Sequence, residues 1–195
     1  RLVQSGRWEM PAVVPIRRLR GRTLGLVGFG NIPRALAPKA QAFGLRVLVH
    51  DPYVAPDVLH AAGVTGAGFE ELLVASDFVS IHAPLLPATR GLFNADAFAK
   101  MKRGAFLINT ARGPLVDEAA LVAALDAGRL GGAALDVVAT EPLAKDSPLV
   151  ARANVILSPH TAFYSIEALE ELQTKCASDV ARVLCGEPPV YPVKM

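Results

Sequence analysis

Arg112, Glu141 and His160 each lie just beyond a short apolar run of the chain and carry side chains suited to anion binding and proton transfer. A guanidinium binds a carboxylate through two parallel hydrogen bonds. An imidazole titrates near neutral pH and can pass a proton to or from a hydroxyl, and a neighbouring carboxylate would orient its ring and raise its pKa. Each residue alone has an ordinary structural explanation. If the runs are parallel strands, however, all three lie at the sheet edge where ligands bind.

A glycine-rich turn from Gly28 to Pro33 is the strongest local motif. A strand is predicted before it and a helix after it. In that context Gly28 permits a tight turn, and Gly30 leaves the backbone open to a pyrophosphate group. The amide groups of Asn31 and Ile32 would then face the anion at the positive end of the helix. The motif therefore predicts a dinucleotide site.

Asp51 and Pro33 refine this prediction. Asp51 ends the next apolar run, where a carboxylate accepts hydrogen bonds from a ribose diol and repels a 2′-phosphate, which favours NAD over NADP. Pro33 stands where the motif usually has a third small residue. Its ring predicts a small outward shift of the helix and weaker cofactor binding. A sheet of the same fold with a vacant or altered site is the alternative.

Six apolar runs recur after Arg22, and their nearly continuous hydrophobicity predicts strands buried on both faces of a parallel sheet. Helical patterns lie between them at 31–43, at 69–75, and from a cap at Asp117 to a stop at Gly128. This alternation predicts an α/β fold: a doubly wound parallel sheet of the Rossmann type with helices on both faces, in two similar halves at 23–83 and 105–160. The runs are Thr23–Phe29, Arg46–Asp51, Phe78–Ala83, Ala105–Ala111, Gly132–Val137 and Val155–Ser158.

A long helix is predicted after the last run. Ser165 caps it, apolar residues follow one stripe as far as Leu184, and Gly186 begins the stop signal. A helix of this length is expected to dock on something beyond the sheet. We therefore divide the chain into a connector at 1–22, a cofactor-binding domain at 23–164 and a C-terminal helix and tail at 165–195.

Composition excludes several classes of protein. The 195 residues are 52% hydrophobic, which excludes disorder and predicts one domain with appendages. The net charge of +2 is too balanced for a nucleic-acid binder, and no apolar run is long enough to span a membrane. Two cysteines, Cys176 and Cys185, make no disulfide framework and favour the cytoplasm. The arginine-rich segment 17–22 is interpreted as a solvated connector, with phosphate or an acidic partner as the alternative.

Several stretches together resemble the NAD-binding domain of the D-isomer-specific 2-hydroxyacid dehydrogenases. They cover roughly residues 20–165 in the order of that family. The segment His160–Ser165 and the helix after it look most similar to the C-terminal-binding-protein branch, with the phosphoglycerate dehydrogenases next. The matching stretches are Thr23–Gly30, Ser76–Leu85, Gly104–Gly113, Gly132–Val137, Glu141-Pro142 and Ser158–His160.

This resemblance implies a role for each matching residue. Arg112 would bind the substrate carboxylate and carbonyl, His160 would act as the general acid and base, and Glu141 would be its partner. The nicotinamide carboxamide would be held by one group of residues and the adenosine and pyrophosphate by another. The first group is Asp136 with the backbone of Thr110 and Ala111; the second is the segment from Ala83 and Pro84 to Thr89, with Asp51 on the adenine ribose.

The resemblance also implies a larger assembly. Family members carry a substrate-side domain that is largely absent here, so the partner molecules expected are a small 2-hydroxy or 2-keto acid and a second copy of the chain. No metal, nucleic acid or membrane partner is expected. The alternatives to an enzyme are an NAD(H)-responsive binding or regulatory module and a fragment without function.

Overall fold

The computed structural model describes residues 3–9 and 16–192. Backbone contacts divide the chain into two compact units, one ending at Leu157 and the other beginning at Ser158. The sequence-based division instead began the C-terminal part at 165. Of the predicted connector, residues 1–2 and 10–15 lie outside the described residues, as do residues 193–195 of the predicted tail; the remainder of the connector includes a single turn of 3-10 helix at Val3–Ser5.

Seven parallel strands form the sheet of the first unit. They are β1 (Thr23–Val27), β2 (Arg46–His50), β3 (Thr65–Gly66), β4 (Phe78–Ile81), β5 (Ala105–Asn109), β6 (Leu130–Leu135) and β7 (Val155–Leu157). Their order in the sheet is β3-β2-β1-β4-β5-β6-β7. Six are the predicted strands, and each ends one or two residues before the predicted run does. The two-residue β3 was not predicted.

The strand order reverses between β1 and β4, which are neighbours although β2 and β3 separate them in the chain. The helix that follows β3 packs on β1 and β2 and so returns the chain across the sheet. The run Phe78–Ala83, which was assigned to the first half of the fold, is therefore the first strand of the second half, and the predicted boundaries of the halves are wrong. At such a reversal the carboxyl ends of the two central strands open a crevice for ligands.

Helices connect the strands of the first unit, and three of them match the predicted segments. Asp117 caps one as predicted, because its carboxylate accepts a hydrogen bond of 3.0 Å from the amide of Ala120. Two further helices of six residues each were missed, since so short a segment carries little periodicity. The helices are α1 (Asn31–Ala42), α2 (Pro56–Ala61), α3 (Phe69–Ala75), α4 (Ala95–Lys100) and α5 (Glu118–Asp126).

Two apolar cores lie on opposite faces of the sheet. One joins alternate side chains of β4, β5 and β6 to α3, α4 and α5, and the other joins β1 and β2 to α1 and α2. The prediction that every strand is buried on both faces is wrong for β5 and β7, where Phe106 is 42% exposed and Ile156 is 71% exposed. These two side chains point away from the first core, on the face of the sheet where the second core covers only β1 and β2.

The second unit contains the predicted long helix, α6 (Ile166–Leu184). Ser165 caps it through a hydrogen bond of 3.0 Å from the amide of Ala168 to the serine hydroxyl oxygen. None of its 19 residues is buried, so the apolar stripe is exposed; Leu184, at its end, is 83% exposed.

Candidate functional site

An open cleft of about 640 Å³ lies at the reversal of strand order, at the carboxyl edge of the sheet. Three loops line it: the one that begins α1, the one that follows β4 and the one that follows β5. This volume lies within the range of small-molecule sites. The lining contains seven of the predicted cofactor-binding residues together with the predicted substrate-binding arginine. These residues are Gly30, Asn31, Ile32, Ala83, Pro84, Thr110, Ala111 and Arg112.

Gly28 and Gly30 have different roles in the turn that precedes α1. Gly28 has a φ of +96°, and a Cβ built on it would lie 2.8 Å from the carbonyl carbon of His82 and 2.9 Å from the amide nitrogen of Ala83. Residues with a side chain rarely adopt such a φ. The main chain of Gly28 also packs directly on the main chain of the loop after β4. At Gly30, by contrast, a Cβ would meet nothing within 4 Å. Gly28 therefore shapes the turn, and Gly30 leaves the space open for a ligand.

Helix α1 begins at the edge of the cleft. Gly30 is its N-cap, and the carbonyl of Gly30 accepts the first hydrogen bond of the helix, 3.2 Å from the amide of Arg34. Asn31 and Ile32 are exposed first-turn residues, whose amides have no partner within an α-helix. Pro33 is buried at the third position of α1, where it removes no helical hydrogen bond. This geometry suits an anion such as a pyrophosphate.

Asp51 joins the end of β2 to the glycine-rich turn. One carboxylate oxygen accepts a hydrogen bond of 2.8 Å from the amide of Phe29, and the other accepts one of 2.9 Å from the amide of Tyr53. Asp51 does not line the cleft of about 640 Å³ itself. Its observed contacts hold the turn, and each oxygen retains a lone pair for a further donor.

The loop after β4 is closed by Thr89. The hydroxyl of Thr89 donates a hydrogen bond of 2.6 Å to the carbonyl of Pro84 and accepts one of 2.8 Å from the amide of Leu86. Thr89 is not among the residues that line the cleft, whereas Ala83 and Pro84 are. The hydroxyl therefore shapes the loop that forms one wall of the cleft.

Asn109 positions the loop that carries Arg112, and sequence analysis did not assign it a role. Its side chain is completely buried, accepts a hydrogen bond of 3.0 Å from the amide of Ala111 and donates one of 2.9 Å to the carbonyl of Arg112. A Cβ on Gly113, the residue after Arg112, would overlap the carbonyl group of Val138. The guanidinium of Arg112 is exposed at the rim of the cleft and donates to the carbonyl of Ala111 at 2.7 Å.

Asp136 and Glu141 follow β6. Asp136 is buried, and its amide donates a hydrogen bond of 2.9 Å to the carbonyl of Asn109, so it lies beside the loop that carries Arg112. Glu141 is exposed, and its carboxylate accepts a hydrogen bond of 3.3 Å from the amide of Val138. Neither residue lines the cleft of about 640 Å³.

His82 is a second residue of the cleft that sequence analysis did not single out. Its ring nitrogen Nε2 lies 2.9 Å from the hydroxyl of Ser80, and burial lowers the pKa of His82 from 6.5 to about 4. The imidazole is therefore neutral at physiological pH. Its position directly after β4, in the same kind of place as Arg112 after β5, is the signal that could have identified it.

His160 belongs to the second unit and is exposed. Its backbone φ is 54°, in the left-handed region, and it is the one residue other than glycine with a positive φ in the described part of the chain. Its ring meets that of Phe163 edge to face, with centroids 6.5 Å apart. Non-glycine residues held in this conformation cluster at functional sites.

Residues 3–9 and 16–192 include no helix that is both long enough and apolar enough to cross a bilayer. The same residues include no group of three His, Cys, Asp or Glu side chains placed to hold a metal ion.

Three features together define a dinucleotide-binding domain. They are the doubly wound parallel sheet, the glycine turn with open space where the strand order reverses, and the helix N-terminus beside that turn. Comparison with known families makes this specific. Residues 1–162 match the family described as "D-isomer specific 2-hydroxyacid dehydrogenase, NAD binding domain", and the chain belongs to that family. NAD, the cofactor predicted from sequence, is the cofactor of the family.

Similar proteins include phosphoglycerate dehydrogenases and a lactate dehydrogenase. The chain is 44% identical over 185 residues to D-3-phosphoglycerate dehydrogenase 2, chloroplastic, of Arabidopsis thaliana, covering 95% of this chain and 30% of the relative. It is 40% identical over 179 residues to human D-3-phosphoglycerate dehydrogenase, covering 92% and 32%. The crystal structure of D-lactate dehydrogenase with NAD+ from Lactobacillus jensenii aligns with a TM-score of 0.87 at 32% identity, covering 99% and 62%.

These curated relatives are roughly three times as long as the chain, which spans 30% and 32% of their lengths. The phosphoglycerate dehydrogenases are one of the two branches that sequence analysis indicated.

Proposed function

We propose that this chain is the cofactor-binding part of an oxidoreductase that transfers a hydride between NAD(H) and a small 2-hydroxy or 2-keto acid of the D-isomer type. The observation that carries the proposal is the cleft at the reversal of strand order, which both Gly30 and Arg112 line. Gly30 leaves open space beside the start of α1, and Arg112 presents a guanidinium. The first suits a pyrophosphate and the second suits a carboxylate.

The residues of the cleft divide between cofactor and substrate in this proposal. The amides of Asn31 and Ile32 bind the pyrophosphate, Asp51 binds the adenine ribose, and Ala83, Pro84 and Thr89 belong to the wall on the adenosine side. Asp136 with the backbone of Thr110 and Ala111 holds the carboxamide. Bound NADH supplies the hydride.

Arg112 and His160 perform the chemistry that the chain itself contributes. Arg112 binds the substrate carboxylate and stabilises negative charge that develops on the carbonyl oxygen. His160 donates a proton to that oxygen during reduction and removes it during oxidation. Glu141 orients the imidazole of His160. The left-handed backbone of His160 supports its assignment, since such strain marks functional positions.

The surroundings of the domain belong to the same proposal. The domain itself spans 23–164, preceded by the connector 1–22, and the C-terminal part 165–195, with its exposed apolar stripe, packs against a substrate-side domain. A homodimer formed through this domain is also part of the proposal, and the exposed apolar side chain of Ile156 supports it. The free cysteines, Cys176 and Cys185, support a cytoplasmic location.

Titration with NADH, followed by fluorescence, tests the cofactor part of the proposal. We expect saturable binding to the chain, weaker binding of NADPH, and loss of affinity when Gly30 is replaced. Failure to bind NADH would leave a fold without its cofactor and would refute the proposal. Light scattering tests the proposed homodimer, and a monomer at all concentrations would refute it.

NADH oxidation with a panel of 2-keto acids tests the catalytic part, on the chain and on any longer reading frame that contains it. We expect the His160→Ala variant to keep NADH affinity and to lose turnover by about 10²–10⁴-fold, the usual contribution of a general acid. If NADH binds but no 2-keto acid is reduced even by the longer protein, the regulatory module becomes the better description.

A further inference from the structure

A second cleft, of about 620 Å³, lies at the opposite edge of the sheet, where β1, β4 and β5 begin. We call it the basic cleft. Five cationic side chains and one carboxylate line it, together with the rings of Phe78 and Phe106. The charged residues are Arg17, Arg18, Arg22, Lys102 and Arg103, with Asp77 among them.

Asp77 fixes two of these cations in place. One of its oxygens accepts hydrogen bonds of 2.7 Å from Arg22 and 2.8 Å from Lys102, and the other accepts one of 2.9 Å from the amide of Thr23. Burial alone would raise the pKa of Asp77, but the hydrogen bonds from Lys102, Thr23 and Arg22 outweigh burial and hold it at about 2. The carboxylate is therefore ionised at physiological pH, and its charge is balanced by cations that it holds beside the cleft.

The other three cations lack such a balance. Within the described residues, Arg17, Arg18 and Arg103 form no ion pair with an acidic side chain, and all three are exposed. The whole chain has a net charge of only +2, so the excess of cations over acids in this one cleft exceeds that of the entire protein. Cations held close together without acids repel each other, and a multiply charged anion removes that repulsion.

We propose that the basic cleft binds a small anion with two or more linked phosphate groups. Arg17 and Arg18 on one segment and Arg103 on another provide guanidinium groups, which match phosphate oxygens through paired hydrogen bonds. Arg17 and Arg18 lie on the segment that leads into β1, and Arg103 lies two residues before β5. The rest of the lining comes from the starts of β1, β4 and β5, so the cleft is built on the folded sheet. It lies apart from the cleft of about 640 Å³ at the carboxyl edge of the sheet, called the cofactor cleft below. The proposal does not depend on the proposed catalytic activity.

Calorimetry with inorganic tripolyphosphate tests the proposal, with NADH present in excess so that the cofactor cleft is occupied. We expect one anion per chain, with affinity that decreases as salt increases. The Arg17→Gln/Arg18→Gln variant should bind about tenfold more weakly, and Arg103→Gln several-fold more weakly. Because these side chains are exposed and make no observed hydrogen bond to the protein, the substitutions should not alter folding. ATP, tested in parallel, distinguishes a nucleotide from a free phosphate chain.

The Arg20→Gln/Lys39→Gln variant is the matched control, because it removes two positive charges outside the cleft. It should change the affinity less than twofold. In a heteronuclear NMR titration, tripolyphosphate should shift the amide signals of Gly104 and Ala105. Equal weakening in the control and cleft variants, or no shift at these amides, would overturn the proposal. So would tighter binding of polyglutamate than of tripolyphosphate, which would indicate an acidic protein partner instead.

Discussion

Replacing Gly28 and, separately, Gly30 with alanine should separate folding from cofactor binding. At Gly28 the new methyl group would require a left-handed backbone with φ near +96° and would press on the main chain of His82 and Ala83 at 2.8–2.9 Å. An unfavourable backbone conformation costs about 1–3 kcal/mol, and overpacking about the same. The Gly28→Ala variant should therefore lose about 3 kcal/mol of unfolding free energy.

The Gly30→Ala variant is its matched partner. The same methyl group meets no atom within 4 Å, and Gly30 has an ordinary φ of −78°. Its stability should stay within about 1 kcal/mol of the original protein, with a small gain expected from the lower entropy of the unfolded chain. The methyl group would, however, occupy the space through which a pyrophosphate approaches the amides of α1. NADH affinity should fall by at least tenfold.

Urea unfolding and NADH titration of the two variants measure both effects. For a domain of this size, a loss of about 3 kcal/mol lowers the melting temperature by roughly 6–12 °C. Gly28→Ala should show that loss, whereas Gly30→Ala should unfold like the original protein and bind NADH poorly. The reasoning is refuted if Gly30→Ala binds NADH normally, or if Gly28→Ala is as stable as the original protein.

Three other substitutions test individual side chains. The pKa of Asp77 falls from 3.8 to about 2 on folding, so its carboxylate contributes about 2 kcal/mol to the free energy of unfolding above pH 4 and loses this contribution toward pH 2. The Asp77→Asn variant should lack this pH-dependent contribution. Urea unfolding at each pH should show this loss in the original protein and not in the variant. His82→Gln should flatten the stability profile between pH 6.5 and 4, because the unfolded chain protonates this histidine while the folded chain, with a pKa of about 4, does not; an unchanged profile would contradict the burial of the ring. Asp51→Ala should weaken NADH binding about tenfold and reduce the preference over NADPH, whereas Asp57→Ala, a change of an acid within α2, should leave both unchanged; equal affinities in all three proteins would exclude Asp51 from the site.

Hydrophobic runs were sufficient to predict six strands because each of the six packs at least one face against an apolar core. The predicted ends extend too far for the same reason. Phe29 and Ala83 are buried beyond the last hydrogen-bonded residue of their strands, so hydrophobicity continues where the ladder has already stopped. β3 was missed because two exposed residues, Thr65 and Gly66, produce no pattern.

Sequence predicts the residues whose positions follow from the order of strands and turns, and it predicts less well those defined by side-chain contacts. Gly28 and Gly30 lie in the predicted turn before α1, and Arg112 lies in the predicted place after β5. Asn109 was not recognised because a buried amide that organises a loop has no sequence signature apart from its neighbours. The pairing of Glu141 with His160 stays a prediction, as does the effect of Pro33 on cofactor affinity.

Backbone lies directly against backbone at several glycines of the first unit, among them Gly28 on His82 and Gly113 on Val138. No rotamer can absorb a change in such a place, so the spacing between these peptide planes is set by the fold alone. Ile32 and Leu85, by contrast, line the cleft of about 640 Å³ and can vary in size without altering that spacing. An engineer who wished to change which molecule fits should therefore replace the latter and leave both glycines untouched.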